Sequence, residues 1–167
     1  DRVFAAACGN LFSPSLDRGI YRSNDAGANW EQVLFVSDTT SAIDLVQHPE
    51  NPDILYAGFW ERTRGLTTRR SFGKTTGIYR TTDGGDSWEE LTNGLPNQLL
   101  EKGRVGLSIS ESNPNVLYAM FDMPNQETWV FKTEDGGDIW NQVNDYYLDN
   151  MGSSFGWYFG QVRVHPT

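Results

Sequence analysis

The chain has 167 residues, of which 38% are hydrophobic and 13% aromatic, a composition ordinary for a folded protein rich in strands and turns. Lys and Arg number 13 against 22 Asp and Glu, and the resulting net charge of -9 repels a polyphosphate backbone, which argues against a general nucleic-acid binder. The longest apolar runs, such as 54–60, fall far short of the roughly 20 residues that span a bilayer, so we expect no transmembrane segment.

The first predicted elements lie within residues 1–34. RVFAAA at 2–7 has the composition of a strand, and GIYRSNDAGANWEQV at 19–33 predicts two more strands around a polar octet, SNDAGANW. Cys8 is the only cysteine, which excludes an internal disulfide and metal sites of the CxxC type. We expect its side chain to be a small buried residue on a strand.

The same pattern then returns twice along the chain. Residues 42–91 contain strand-like runs at 42–48, 54–60, 77–82 and 88–91, with the octet TTDGGDSW at 81–88. Residues 104–143 repeat the series, with the octet TEDGGDIW at 133–140. Because the octets recur at nearly constant spacing, the repeating unit is about 55 residues long.

Four short strands in each repeated unit are typical of a β-propeller blade. The sequence therefore predicts an all-β fold, a propeller segment of about three four-stranded antiparallel blades in one partial domain, 1–167. Its units are 1–34, 42–91 and 104–143, and 160–167 begins the next blade. A propeller usually needs at least about four blades to close. The expected partners are therefore the remaining blades of the same propeller or another protein chain.

Each octet is predicted to form the tight turn between the third and fourth strands of its unit. The aspartate carboxylate is expected to accept backbone N–H bonds, the Ser or Thr to add a hydroxyl, and glycine to supply positive φ. The tryptophan then begins the fourth strand and packs against the neighbouring sheet. The residues with these roles are Ser23, Asp25, Gly27, Trp30, Thr81, Asp83, Gly85, Trp88, Thr133, Asp135, Gly137 and Trp140.

The pattern S/T-x-D-x-G-x-x-W resembles the Asp-box of BNR-repeat proteins. Together with NPDILYAGFW and RVGLSISESNPNVLYA, it is similar to bacterial relatives of the sortilin N-terminal propeller family. The resemblance implies a large exported propeller, extracellular, periplasmic or otherwise in the cell envelope. Relatives of this kind include sialidases, xyloglucan-cleaving glycoside hydrolases, sorting receptors and photosystem assembly factors. It also implies that the Asp-boxes lie opposite the binding face, and the missing R-I-P motif and arginine triad argue against a sialidase.

Residues 61–76 form a basic loop in an otherwise acidic chain. Bidentate guanidinium contacts could hold a carboxylate, sulfate or phosphate there, or the loop could simply pair with acids on its neighbours. The candidate ligand-binding residues are Arg62, Arg64, Arg69, Arg70 and Lys74.

The aromatic stretch 144–160 adds Trp157 and Tyr158 as further ligand-binding candidates. Such side chains can stack on sugar rings or close a protein interface, and they can equally pack over a blade or fill the central channel.

Three acids are candidates for catalysis: Asp44, Glu61 and Asp122. A glycosidase needs two carboxyl groups roughly 5 to 9 Å apart, and the sequence assigns no such pair. His48 and His165 both occupy a His-Pro turn after a first strand, which indicates turn structure, so no metal site and no cofactor are predicted.

These observations favour a non-catalytic binding or scaffolding segment of an exported or envelope-associated protein, because blade construction accounts for every strong motif. One alternative is a fragment of a carbohydrate-active glycoside hydrolase. Another is an accessory subunit of a larger membrane or extracellular complex. A polysaccharide or an anionic molecule is the candidate ligand, and no nucleic acid is expected.

Overall fold

The computed structural model describes residues 1–150, 158 and 160–166. Their strands form three successive antiparallel sheets and one small hairpin. The first sheet contains β1 (Val3–Ala7), β2 (Gly19–Ser23) and β3 (Glu31–Leu34), paired in that order. The chain thus folds locally, each strand pairing with the next one along the sequence.

The second sheet has four strands and carries the hairpin as an insertion. Its strands are β4 (Thr40–Gln47), β5 (Leu55–Glu61), β8 (Gly77–Thr81) and β9 (Glu89–Leu91), and the inserted hairpin pairs β6 (Thr63–Arg64) with β7 (Arg69–Arg70). The hairpin therefore lies in the connection between the second and third strands of this sheet.

The third sheet repeats the four-stranded order. It contains β10 (Val105–Ile109), β11 (Leu117–Asp122), β12 (Thr128–Thr133) and β13 (Asn141–Gln142). Short 3-10 turns occur at Pro124–Gln126 and Tyr146–Leu148. Val164 donates its N–H to the hydroxyl of Ser108 at 3.0 Å, so segment 160–166 runs beside β10.

The second and third sheets share one register, which makes their residues directly comparable. Phe59 faces Gly77 across β5 and β8, and Phe121 faces Trp129 across β11 and β12. Trp60 and Asp122, the residues that follow the two phenylalanines, therefore occupy equivalent positions.

The core lies between successive sheets. One cluster joins Ile20 of the first sheet to Ala42, Ala57 and Phe59 of the second, all completely buried. A larger cluster joins Tyr56, Ile78 and Leu91 of the second sheet to the buried face of the third. Stacking of consecutive sheets through their faces confirms the predicted all-β, propeller-type arrangement.

Cys8 and the octet tryptophans are placed differently from the predictions. Cys8 is exposed one residue beyond β1, so the prediction that it is buried was wrong; its sulfur lies 3.6 Å from the carbonyl oxygen of Ala42. Each octet tryptophan lies directly before the last strand of its sheet, β3, β9 or β13, rather than beginning that strand. Among the described residues, no helix is long and apolar enough to cross a membrane.

Candidate functional site

The second octet shows how all three turns are built. The Thr81 hydroxyl donates to the Asp83 carboxylate at 2.7 Å and accepts the Gly85 N–H at 2.9 Å. The same carboxylate accepts the Ser87 N–H at 2.9 Å. Gly85 has a φ of 87°, which a side-chain-bearing residue adopts only with strain. The turn is therefore held by its own side chains.

The other two octets contain equivalent bonds. Ser23 and Asp25 bind the N–H groups of Gly27 and Asn29, and Thr133 and Asp135 bind those of Gly137 and Ile139. The Asn29 amide and backbone and the Ser23 hydroxyl lower the pKa of Asp25 to about 2. Hydrogen bonds from Ser87 and from Thr133 likewise lower the pKa values of Asp83 and Asp135. These carboxylates stay ionised at neutral pH and are unsuited to proton transfer.

The three octet tryptophans differ in burial. The second and third pack against the preceding sheet, and the first has no preceding sheet among the described residues. Trp140 is 2% exposed in the cluster with Tyr56, and its indole N–H donates to the Gly137 carbonyl at 3.0 Å. Trp88 is half-buried against the first sheet. Trp30 is 44% exposed, since the described residues include no sheet before its own.

The arginines just before the first two octets make a contact that was not predicted from the sequence. The Arg80 guanidinium donates to the Gly136 carbonyl at 2.8 Å and pairs with Asp138 at 2.8 Å, both in the turn of the next sheet. In the same way, Arg22 of the first sheet contacts the Gly84 carbonyl and the Asp86 carboxylate in the turn of the second sheet. We call this contact the forward clasp.

The signal for the forward clasp was visible in the sequence. Arg22, Arg80 and Lys132 each directly precede the Ser or Thr of an octet. The acids Asp86 and Asp138 end the DGGD strings of the second and third octets. A prediction that treats each turn as an isolated hairpin does not include this contact between neighbouring units.

The predicted basic residues lie at the opposite end of the sheets from the octets. Their loop joins the end of β5 to the start of β8, whereas the octet follows the end of β8. Arg62 is 6% exposed and lies over the rings of Trp60 and Tyr158, 4.8 and 5.1 Å from the centroids. It is therefore part of the packing rather than of an open surface.

The other cations are distributed along the loop rather than gathered at one point. Arg70 pairs with Glu101 at 2.9 Å and with Glu61 at 3.5 Å. Arg64 lies 5.6 Å from the ring centroid of the exposed Phe12. Arg64 and Arg69 are cross-strand partners in the hairpin and both are exposed, as is Lys74. Only the hairpin therefore brings two of the predicted cations side by side.

The carboxylates of two candidate catalytic acids accept hydrogen bonds from other groups of the chain. Asp44 lies at a bulge in β4, and its carboxylate accepts the N–H of Leu107 at 2.9 Å and of Leu45 at 3.0 Å. It thereby joins the first strands of the second and third sheets. Glu61 accepts both the N–H and the hydroxyl of Thr75, at 3.1 and 2.9 Å.

Asp122, the third acid, lies in a different environment. It ends β11, is 7% exposed, and its Oδ2 has no hydrogen-bond partner among the described residues. Burial raises the pKa of Asp122 to about 7. This residue lines a cavity of about 320 Å³ between the second-to-third-strand connections of two neighbouring sheets. The lining residues are Arg69, Ser71, Phe72, Asp122, Met123, Asn125 and Gln126.

The aromatic stretch is described only in part. Tyr146 and Tyr147 are exposed and stacked on each other, with ring centroids 4.6 Å apart. Tyr158 packs edge-on against Trp60 at 6.4 Å. Trp157 lies outside the described residues.

Neither histidine is placed for metal binding with other ligands. The His48 ring nitrogen accepts the N–H groups of Glu50 and Asn51 at 3.1 Å, which is a turn contact. Within the described part of the chain, no three His, Cys, Asp or Glu side chains form a group that could hold a metal ion.

Repeated sheets joined face to face, with variable connections at one end, define the chain as a segment of a β-propeller. Residues 18–157 match the family model described as sortilin, neurotensin receptor 3 (Sortilin-Vps10). The chain therefore belongs to the sortilin–Vps10 family, as its sequence resemblance had predicted.

One curated relative is a vacuolar protein sorting/targeting protein 10 from Colletotrichum graminicola. It is 27% identical over 95 residues, which cover 57% of this chain and 5% of that protein. The chain thus spans only a small part of the relative that it matches.

Solved structures of GH74 enzymes share the fold. The enzyme from Niastella koreensis has a TM-score of 0.57 at 19% identity, covering 80% of this chain and 19% of its own. An ancestral GH74 enzyme has a TM-score of 0.57 at 20% identity, covering 86% of this chain and 18% of its own. At these identities the similarity shows the fold alone.

Proposed function

We propose that this chain is a ligand-binding segment of a propeller, without a catalytic centre of its own, and that it binds an anionic ligand at the β6–β7 hairpin. The observation that carries this proposal is the cross-strand pair Arg64 and Arg69 on an exposed hairpin. Directly paired strand residues have Cβ atoms about 5 Å apart, so two guanidinium groups can engage one sulfate or carboxylate cluster.

The occupied acids support a role without catalysis. Asp44 and Glu61 use their carboxylate oxygens for contacts with backbone and side-chain groups of the fold. The three octet aspartates do the same at the opposite end of the sheets. Catalysis by these acids would require breaking their hydrogen bonds, whereas ligand binding at the hairpin leaves the bonds in place.

We propose that the segment works outside the cytosol, in an extracellular or envelope compartment, as part of a larger assembly of blades or chains. The match to a sorting protein and to the sortilin family supports this placement. The exposed Trp30 indole supports a covering sheet or chain on the outer face of the first sheet.

Binding to immobilised heparin, with neutral dextran as the comparison surface, tests the anionic-ligand proposal. We expect heparin to bind and dextran not to bind, with affinity falling as salt is raised. Arg64→Gln with Arg69→Gln should weaken heparin binding about tenfold or more, the equivalent of about 1.4 kcal/mol.

A charge-matched control separates the hairpin from net charge. Lys132→Gln with Arg163→Gln changes the net charge equally at other exposed or half-exposed positions and should leave heparin binding nearly unchanged. Absence of heparin binding by the folded chain, or an equal loss in both double variants, would contradict the proposal.

A catalytic fragment is the second candidate, favoured by one observation. Burial raises the pKa of Asp122 to about 7, where a carboxylic acid can donate a proton. The described residues that line its cavity include no second carboxyl group, so the partner acid would have to come from elsewhere. Hydrolysis of a polysaccharide panel that is lost in Asp122→Asn would favour this reading.

A further inference from the structure

The cavity lies beside Asp122, at a position where the second and third sheets carry different residues. Trp60, the equivalent residue of the second sheet, is 1% exposed, and its indole N–H donates to the Ser71 carbonyl at 2.7 Å. The third sheet has the much smaller Asp122 in place of that indole, and a cavity of about 320 Å³ lies beside it. This volume falls at the lower end of small-molecule sites, about 300 to 1,000 Å³.

Two buried oxygens of the cavity wall have no partner among the described residues. They are Oδ2 of Asp122 and Oγ of Ser71, on side chains of residues that are 7% and 8% exposed. A buried polar group without a hydrogen bond costs about 1 to 3 kcal/mol, and native proteins contain few of them. These two oxygens belong to residues of one cavity wall, where a water or a bound ligand would complete their hydrogen bonds.

The close contacts around Gly103 fix the shape of this wall. A Cβ atom at Gly103 would lie 2.7 Å from Oδ2 of Asp122 and 2.8 Å from the Phe72 ring. A side chain at Gly103, two residues before β10, would therefore force the ring or the carboxyl group to move away. The result is an aromatic side chain beside an acid on the wall of one cavity.

The opposite wall is polar and has an unusual backbone. Asn125 and Gln126 have φ values of 66° and 67°, a conformation that costs non-glycine residues free energy. Their amides and the Arg69 guanidinium line the cavity together with Asp122. Donors and acceptors are therefore both available around the same volume.

The charges of the lining select against ionic ligands. At pH 8, where Asp122 is ionised, an anion would face its carboxylate, and a cation would face Arg69. A neutral molecule with several hydroxyl groups avoids both penalties and can both donate and accept. An aromatic ring such as Phe72 suits the apolar face that a sugar ring presents.

We propose that this cavity binds a neutral polyhydroxylated ligand, a single sugar unit or the end of a glycan, through Asp122, Ser71 and the Asn125 and Gln126 amides. The site goes beyond the anionic site proposed for the hairpin and shares one residue with it, Arg69. Binding requires no bond-making step, so the cavity can serve in a protein without catalytic activity.

Saturation-transfer NMR with a defined panel tests the proposal on the 167-residue chain. The panel contains methyl glycosides of glucose, galactose, mannose and xylose, with glucuronate and glucosamine as the anionic and cationic counterparts. At pH 8 we expect saturation of at least one neutral glycoside and, in Arg64→Gln, which removes the hairpin pair but no cavity-lining residue, little or none of the charged sugars.

Asp122→Trp restores the residue of the preceding repeat and should remove the saturation by filling the cavity. Asp122→Asn keeps the shape and should retain weakened binding, and Ser71→Ala should weaken binding about tenfold through loss of one hydroxyl contact. Glu111→Trp, at an exposed position, adds a tryptophan elsewhere and should change nothing. Ser71→Ala keeps the test valid if Asp122→Trp does not fold.

Three results would overturn the proposal. The first is the absence of saturation for every neutral glycoside with the folded chain. The second is unchanged binding in Asp122→Trp or, if that variant does not fold, in Ser71→Ala. The third is a preference for glucuronate or glucosamine. Heparin binding is measured separately, because its loss in Arg64→Gln, a residue outside the cavity lining, reports on the hairpin alone.

Discussion

Asp122 and the turn aspartates place the same carboxyl group in opposite environments. In each octet the carboxylate accepts hydrogen bonds from nearby hydroxyl and N–H groups, which stabilise its ionised form. Asp122 is buried without a partner for Oδ2, and the loss of water stabilises its protonated form instead. Exposure to donors, rather than sequence context, decides which aspartate keeps its proton.

The raised pKa of Asp122 predicts a pH-dependent stability. The unfolded chain releases this proton near pH 4 and the folded chain near pH 7, so the free energy of unfolding falls as pH rises across that window. The loss is at most about 4 kcal/mol, since one pKa unit corresponds to about 1.4 kcal/mol. Asp122→Asn lacks this titration, so it should be the more stable protein at pH 8.

Urea denaturation at pH 4.5, 6 and 8 measures this difference. Other groups titrate in both proteins and cancel when the two unfolding free energies are subtracted. A difference that stays constant over this pH range would show that Asp122 is ionised in the folded chain throughout.

The bonds within the octets follow from residue types alone, because they span only two to four residues. Asx-type turns and positive-φ glycines are local chemistry, and DGGD carries both signals. The cavity at Asp122 could not be found in this way. It depends on an exchange of Trp60 for Asp122 between equivalent strands, which becomes meaningful only when the register of both sheets is known.

Among the elements, β2 and β8 link one sheet to the next through their penultimate residues, Arg22 and Arg80. Each guanidinium reaches the carbonyl of a turn glycine and the acid two residues beyond it. The Tyr56 hydroxyl also donates to the Gly136 carbonyl, at 2.8 Å. Strand and turn thus form a polar contact above the apolar core.

Loss of the forward clasp should destabilise the chain. Arg80→Met removes the donor to Gly136 and the partner of Asp138, and we expect a cost of about 1 to 3 kcal/mol. Lys132→Met is the matched control. Lys132 occupies the same position in the third sheet but pairs with its neighbour Glu134, so the cost should stay within about 0.5 kcal/mol.

Guanidinium chloride denaturation of both variants provides the comparison. Equal unfolding free energies for the two variants would mean that the contact between sheets contributes nothing beyond a surface ion pair.

The structure of the loop at residues 61–76 could be predicted only in part. Its charge was evident, but its pairing into β6 and β7 was not, and the hairpin decides which cations are neighbours. Arg62 is buried by the ring of Trp60, which is near it in sequence, and by that of Tyr158, which is far along the chain. Periodicity predicts strands, whereas side-chain placement in an insertion depends on tertiary contacts.

At the scale of the whole molecule, the second and third sheets pack their octet tryptophans against the sheet before them. Trp140 lies in the cluster between the second and third sheets, whereas Trp30 is 44% exposed on the outer face of the first. The same octet therefore contributes differently according to its position in the series.

This arrangement predicts unequal costs for one substitution. Trp140→Ala should destabilise the chain by about 3 to 5 kcal/mol, as expected for truncation of a large buried side chain. Trp30→Ala removes a half-exposed ring and should cost clearly less. Denaturant midpoints for the two variants measure the difference, and comparable losses would contradict packing against the preceding sheet.

The forward clasps are expected to form late in folding. The bonds inside an octet join residues two to four positions apart, but the clasps join residues 62 and 56 positions apart. Contacts between distant residues carry a larger chain-closure entropy and form late. Interactions that are absent from the transition state govern how slowly a native protein comes apart. We therefore expect Arg22 and Arg80 to slow unfolding and to change the folding rate little.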